Sequence, residues 1–112
     1  MSQEFETHLQ EVRRGTVVLA CLKLLHTPGY GYGLLQDLTT AGFETEANTL
    51  YPLLRRLEKQ GHLTSSWNTD DSRPRKFYQT SQAGKQLAEV LHQEWLRLTE
   101  AIAALPDQSP GT

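Results

Sequence analysis

Leu50, Leu53, Leu54 and Leu57 stand at i, i+3, i+4 and i+7, and polar or basic side chains fill the positions between them. This is the one-sided pattern of an amphipathic helix, with Thr45 or Glu46 near its N-cap and Gly61 as its stop. Upstream, Phe5, Leu9 and Val12 recur at helical steps and predict a first helix before Arg13-Arg14-Gly15. From Thr16 to Leu25 the chain is apolar nearly all round, as in a helix at the centre of a domain. Pro28 and Gly29 end it. Tyr30, Leu34 and Leu38 then mark one face of another helix, closed at Ala41-Gly42.

After Gly61 the period changes. Leu63 to Asn68 (LTSSWN) and Arg75 to Thr80 (RKFYQT) carry the aromatic and β-branched content of two short strands, and the turn-rich Thr69 to Pro74 joins them. Thr80 or Ser81 caps a last helix that can run to Leu105, where Pro106 ends it. Ala88, Leu91, Trp95, Leu98, Ile102 and Leu105 form a heptad-like seam along this helix, suited to packing on another helix. The expected fold is mainly α with a small β-hairpin: a winged helix-turn-helix plus a long C-terminal dimerisation helix. Residues 1–80 would form the winged-helix DNA-binding region, 81–105 the dimerisation helix and 106–112 a mobile tail, in one compact unit of 112 residues.

Net charge is -2, which by itself does not suggest nucleic acid. Its distribution does. Asn48 to Thr80 carries a local +3 and the remainder -5, so the basic charge sits on the candidate recognition helix and wing. At about 100° per residue, Asn48, Pro52, Arg55 and Lys59 point away from the leucines, with Tyr51 and Arg56 on the flanks. Arginine and lysine neutralise phosphate or donate to guanine, asparagine pairs with adenine, and a tyrosine hydroxyl reaches phosphate. Arg73, Arg75 and Lys76 add a second basic group at the hairpin tip and in its second strand. Pro52 forfeits one helical hydrogen bond on the outward side, where no core contact requires it.

Other chemistry is sparse. Cys21 is the single cysteine, and His8, His26, His62 and His92 have no partner at metal-ligand spacing, so neither a disulfide nor a metal site is expected. No nucleophile with a base partner and no phosphate-binding glycine loop stands out, which argues against an enzyme or a bound cofactor. The apolar run around Cys21 is too short for a membrane span, and the acidic N-terminus is unlike a signal peptide. A cytoplasmic protein is expected.

The ordered segments GYGYGLLQDL, NTLYPLLRRLEKQGHLTSSW and RPRKFYQTSQAGKQ are similar to consecutive motifs of the PadR-like transcriptional regulators. The resemblance runs from about Val12 to Leu105. It departs where the family's histidine is Tyr30 or Gly31 and where its Ser-Pro-Gly is Glu46-Ala47-Asn48. It implies a homodimeric, usually repressing regulator of double-stranded DNA, and the two-fold symmetry of such a dimer calls for a pseudo-palindromic operator. On matching positions, Thr49, Tyr51 and Arg55 would contact DNA from the recognition helix, and Arg75 and Lys76 from the wing. The repressor would be released by a small hydrophobic or aromatic effector, and Trp95 would either pack in the dimer seam or stack on a flat aromatic one. The alternative function is a winged-helix protein-interaction module without DNA binding.

Overall fold

The computed structural model describes residues 2–70 and 73–107. Asp71 and Ser72 of the expected turn, and 108–112 of the expected tail, lie outside the described residues. The elements are α1 (Gln3–Leu24), β1 (Gly29–Tyr30), α2 (Gly31–Thr40), α3 (Ala47–Lys59), β2 (Leu63–Asn68), β3 (Arg75–Thr80) and α4 (Gln82–Ala104).

Two expectations are corrected. The break at Arg13-Arg14-Gly15 does not form: α1 is continuous through it. A single glycine in a helix interior costs only about 1 kcal/mol. That cost is opposed by the Arg13–Glu6 ion pair at 2.9 Å and by the Thr16 hydroxyl donating to the Arg13 carbonyl. Tyr30 is not part of a helix face either. It lies in extended backbone as the N-cap of α2 and belongs to a two-residue strand that the periodicity, too short to register, did not reveal. The predicted stops hold. Gly42 and Gly61 both have positive φ, and each closes its helix with paired backbone bonds, Phe43 N–H to Leu38 O and Gly42 N–H to Thr39 O after α2, His62 N–H to Leu57 O and Gly61 N–H to Glu58 O after α3.

The sheet has the order β1-β3-β2, all antiparallel. Leu63↔Thr80, Ser65↔Tyr78 and Trp67↔Lys76 pair across the hairpin on one face, and Ser66↔Phe77 and Asn68↔Arg75 on the other. The core joins Leu22 and Leu25 of the α1 end, Leu34 and Leu38 of α2, the four leucines of α3, and Leu63 and Tyr78 of the hairpin. Thr80 fastens the hairpin to α1: its amide donates to the Leu25 carbonyl and its hydroxyl to the Leu22 carbonyl. Ser81 caps α4 by accepting from the Gly84 amide, and its own hydroxyl donates to the Gly61 carbonyl at the end of α3.

The seam of α4 divides. Ala88 is 4% exposed and belongs to the subunit's own core, and Leu91 is half-buried against it. Beyond them Trp95, Leu98, Ile102 and Leu105 are exposed. The molecule extends 67 × 32 × 21 Å with a radius of gyration of 17.2 Å, against about 13 Å for a compact chain of this length. The distal half of α4 therefore stands out from the body with an apolar side uncovered. No helix among the described residues is long and apolar enough to cross a membrane.

Candidate nucleic-acid interface

Helix α3 presents its outer surface as its sequence pattern requires. Leu50, Leu53, Leu54 and Leu57 are buried, and Asn48, Thr49, Pro52, Arg55, Arg56 and Lys59 are exposed. None of Arg55, Arg56 and Lys59 has an ion-pair partner among the described residues. Three uncompensated cations on one exposed helix are available to a polyanion. The N-cap is Glu46, but its side chain makes no capping bond; its carbonyl accepts instead from the Thr49 and Leu50 amides. Pro52 sits in the second turn, past the amides that lack helical partners, so the Asn48 carbonyl goes without its usual donor and faces outward.

Tyr51 is held differently from the other candidates. Its ring is half-buried against the start of α2, and a Cβ on Gly31 would come within 2.5 Å of Tyr51 Cε1. Glycine at position 31 is what lets α3 approach α2 this closely.

The wing is clamped to α3 through Glu58. Lys76 Nζ lies 3.0 Å from one Glu58 carboxylate oxygen, and the Ser65 hydroxyl donates to the other. Sequence position grouped Lys76 with the free basic residues; the structure places its ammonium in this internal bridge. On the opposite face, Tyr30 stacks on Phe77 with ring centroids 4.0 Å apart, accepts a hydrogen bond from Asn68, and lies 5.1 Å under the Arg75 guanidinium. Arg75 and Arg73 remain exposed. The apparent excess of wing charge is thus smaller than the residue count, and a carboxylate on α3 ties the hairpin to that helix.

The hydrogen bonds from Ser65 and Lys76 hold the Glu58 carboxyl below the usual glutamate range. A depressed carboxyl pKa stabilises the fold fully above the unfolded value and loses that contribution as pH falls through the folded one. Glu58→Gln is therefore expected to cost up to ~1 kcal/mol at neutral pH, with the difference from wild type closing below about pH 4. Urea denaturation at pH 7 and pH 3.5 checks this; an unchanged difference at both pH values contradicts the clamp.

A groove of about 370 Å³ lies where α1, α4 and the α2–α3 corner meet, with Leu19, Ala20, Leu24, Phe43 and Trp95 among its walls. Lys23 Nζ and His92 Nδ1 face each other at 3.1 Å along it. These two residues are 69 positions apart, and nothing in their spacing marked them. Cys21 is fully buried nearby in the core, and desolvation pushes its thiol up to about 12, which leaves it unreactive.

Comparison with known proteins places these features in a family. The family described as the transcriptional regulator PadR-like family matches residues 18–90. A PadR family transcriptional regulator from Eggerthella lenta is 40% identical in sequence, with a TM-score of 0.88 over 94% of each chain. A transcriptional regulator from Clostridium thermocellum is 26% identical, with a TM-score of 0.78 over 87% of this chain and 99% of the other. A curated transcriptional regulator of Mycobacterium tuberculosis is 39% identical over 56 residues, which is 50% of this chain and 52% of that relative. The match thus spans about half the length of the curated relative.

Proposed function

The chain belongs to the PadR-like family of transcriptional regulators, non-enzymatic proteins that bind DNA, and from that premise we propose that it is a homodimeric repressor released by a small aromatic effector. The observation that carries the proposal is the uncovered apolar side of distal α4. Leu98, Ile102 and Leu105 are exposed in one row, and no element among the described residues covers them. A second copy of the same helix covers such a row and brings two recognition helices onto one duplex. In this reading 1–80 form the DNA-binding region and 81–105 the dimerisation helix, although Ala88 and Leu91 serve the subunit's own core.

Two-fold symmetry calls for a pseudo-palindromic operator with half-sites about one helical turn apart. Asn48, Thr49, Tyr51, Arg55, Arg56 and Lys59 of α3 would face the groove, with Arg73 and Arg75 of the wing toward phosphate. Lys76 acts there through the Glu58 bridge. A flat aromatic effector would stack on Trp95 in the groove beside α1. By favouring a dimer whose recognition helices are wrongly spaced, it lowers operator affinity.

The test is a mobility shift with DNA from upstream of the protein's own gene, run beside light scattering. Wild type should be a dimer that shifts a fragment and is displaced by members of a planar aromatic panel. Ile102→Lys should give a folded monomer that binds the same fragment at least about tenfold more weakly, because it loses the two-site avidity. A monomeric wild type that shifts no upstream fragment sinks the proposal.

A further inference from the structure

We propose that Trp67 is a DNA-contacting residue whose indole packs on the sugar–phosphate edge of a duplex lying across α3. The inference rests on the reading of α3 and the wing as the DNA-binding face. Trp67 is the outermost of three residues on the hairpin face that looks toward the helices. The first, Leu63, is buried, and the second, Ser65, is half-buried on Glu58 of α3. Trp67 follows on the same face by the two-residue alternation of a strand, but is 63% exposed. The row has run past the edge of the body, and its last member is left in solvent.

Three features point to DNA as the occupant. Glu58 lies roughly 60° around α3 from Arg55, so the flank that meets the wing adjoins the free cations. The carboxylate on that flank, which would repel a phosphate, is already neutralised by Lys76. That bridge also holds the ammonium of Lys76, the cross-strand partner of Trp67, at α3. Ser65 and Lys76, the neighbours of Trp67 on that face, both reach Glu58, so what the wing leaves exposed on its α3 side is a broad apolar ring. Its N–H has no acceptor among the described residues. A deoxyribose against the ring and a phosphate oxygen on the N–H match both halves of the side chain. A protein partner would meet the same uncompensated positive charge, which favours the polyanion.

The chain has two tryptophans, so protein carrying 5-fluorotryptophan gives two fluorine resonances, and Trp67→Phe removes and thereby assigns one. Saturating the protein with the shifted upstream fragment should move the Trp67 resonance and reduce its solvent isotope shift by at least half. Trp67→Ala should weaken binding about tenfold while leaving the slope of log K against log salt unchanged, because an apolar contact neutralises no phosphate. Trp67→Phe should recover most of the affinity, which excludes a general loss of fold. An unmoved Trp67 resonance at full occupancy, or wild-type affinity in the alanine variant, overturns the proposal alone. If wild type shifts no fragment, the DNA-binding face itself is misassigned and the proposal fails with it.

Discussion

Arg55→Glu is expected to weaken binding to operator DNA at least about 100-fold near physiological salt. Arg55 lies at the centre of the outward face of α3, is exposed, and has no ion-pair partner among the described residues. Reversing its charge both removes an attraction and places a carboxylate against phosphate. In a dimer the change acts twice on each operator. Arg55→Ala separates the two contributions: it should cost less and reduce the salt slope by about two if each copy neutralises one phosphate. Both variants should keep wild-type circular dichroism and oligomeric state, because the exposed side chain contributes nothing to the core. Titrations at three salt concentrations decide the matter. Wild-type affinity and slope in the glutamate variant would move the recognition role off this face of α3.

The largest effect on stability is expected at Gly84, in the first turn of α4. A Cβ there would overlap the His62 carbonyl oxygen and sit 2.7 Å from Thr80 Cγ2. His62 is anchored on both sides: its amide bonds the Leu57 carbonyl and its own carbonyl accepts from the Ser81 amide. Backbone so held cannot move aside for a methyl group. Gly84→Ala should therefore destabilise by about 2–3 kcal/mol, despite alanine's better helix propensity. The melting temperature should fall by roughly 10 °C or more. Gly15→Ala provides the contrasting sign. Nothing lies within 4 Å of the position where its Cβ would be, and it is in the exposed interior of α1. That change should stabilise by up to about 1 kcal/mol. Thermal melts of both variants test whether close approach of α4 to the α3–β2 corner limits the residue at 84. Equal melting temperatures for Gly84→Ala and wild type would refute it.

Much of this is legible in the sequence alone. The helical steps of leucine placed α3 and its buried face, and Gly42 and Gly61 marked where two helices end. The switch from a three- and four-residue period to β-branched and aromatic runs placed β2 and β3. The outward set on α3 followed from the same geometry, because a helix that commits its leucines to a core also commits the opposite positions to the surface. Tyr51 lay at the edge of that logic, on a flank, and the structure turns its ring against Gly31.

The amino-acid sequence by itself thus determined α2, α3, α4, the two hairpin strands and the basic surface of α3, while missing β1 and the continuity of α1, since periodicity, caps and breakers act over a few residues. The tertiary structure decided which charges are free and which are spent. Lys76 and Arg75 are neighbours in one strand, yet one bridges to Glu58 and the other lies over Tyr30. It also brought Lys23 to His92 and Gly29-Tyr30 to the edge of β3, and carried Trp67 past the body while folding Ala88 into it. Each of these depends on where a distant segment comes to rest, and that position is set by burial of the common core, which no local pattern encodes.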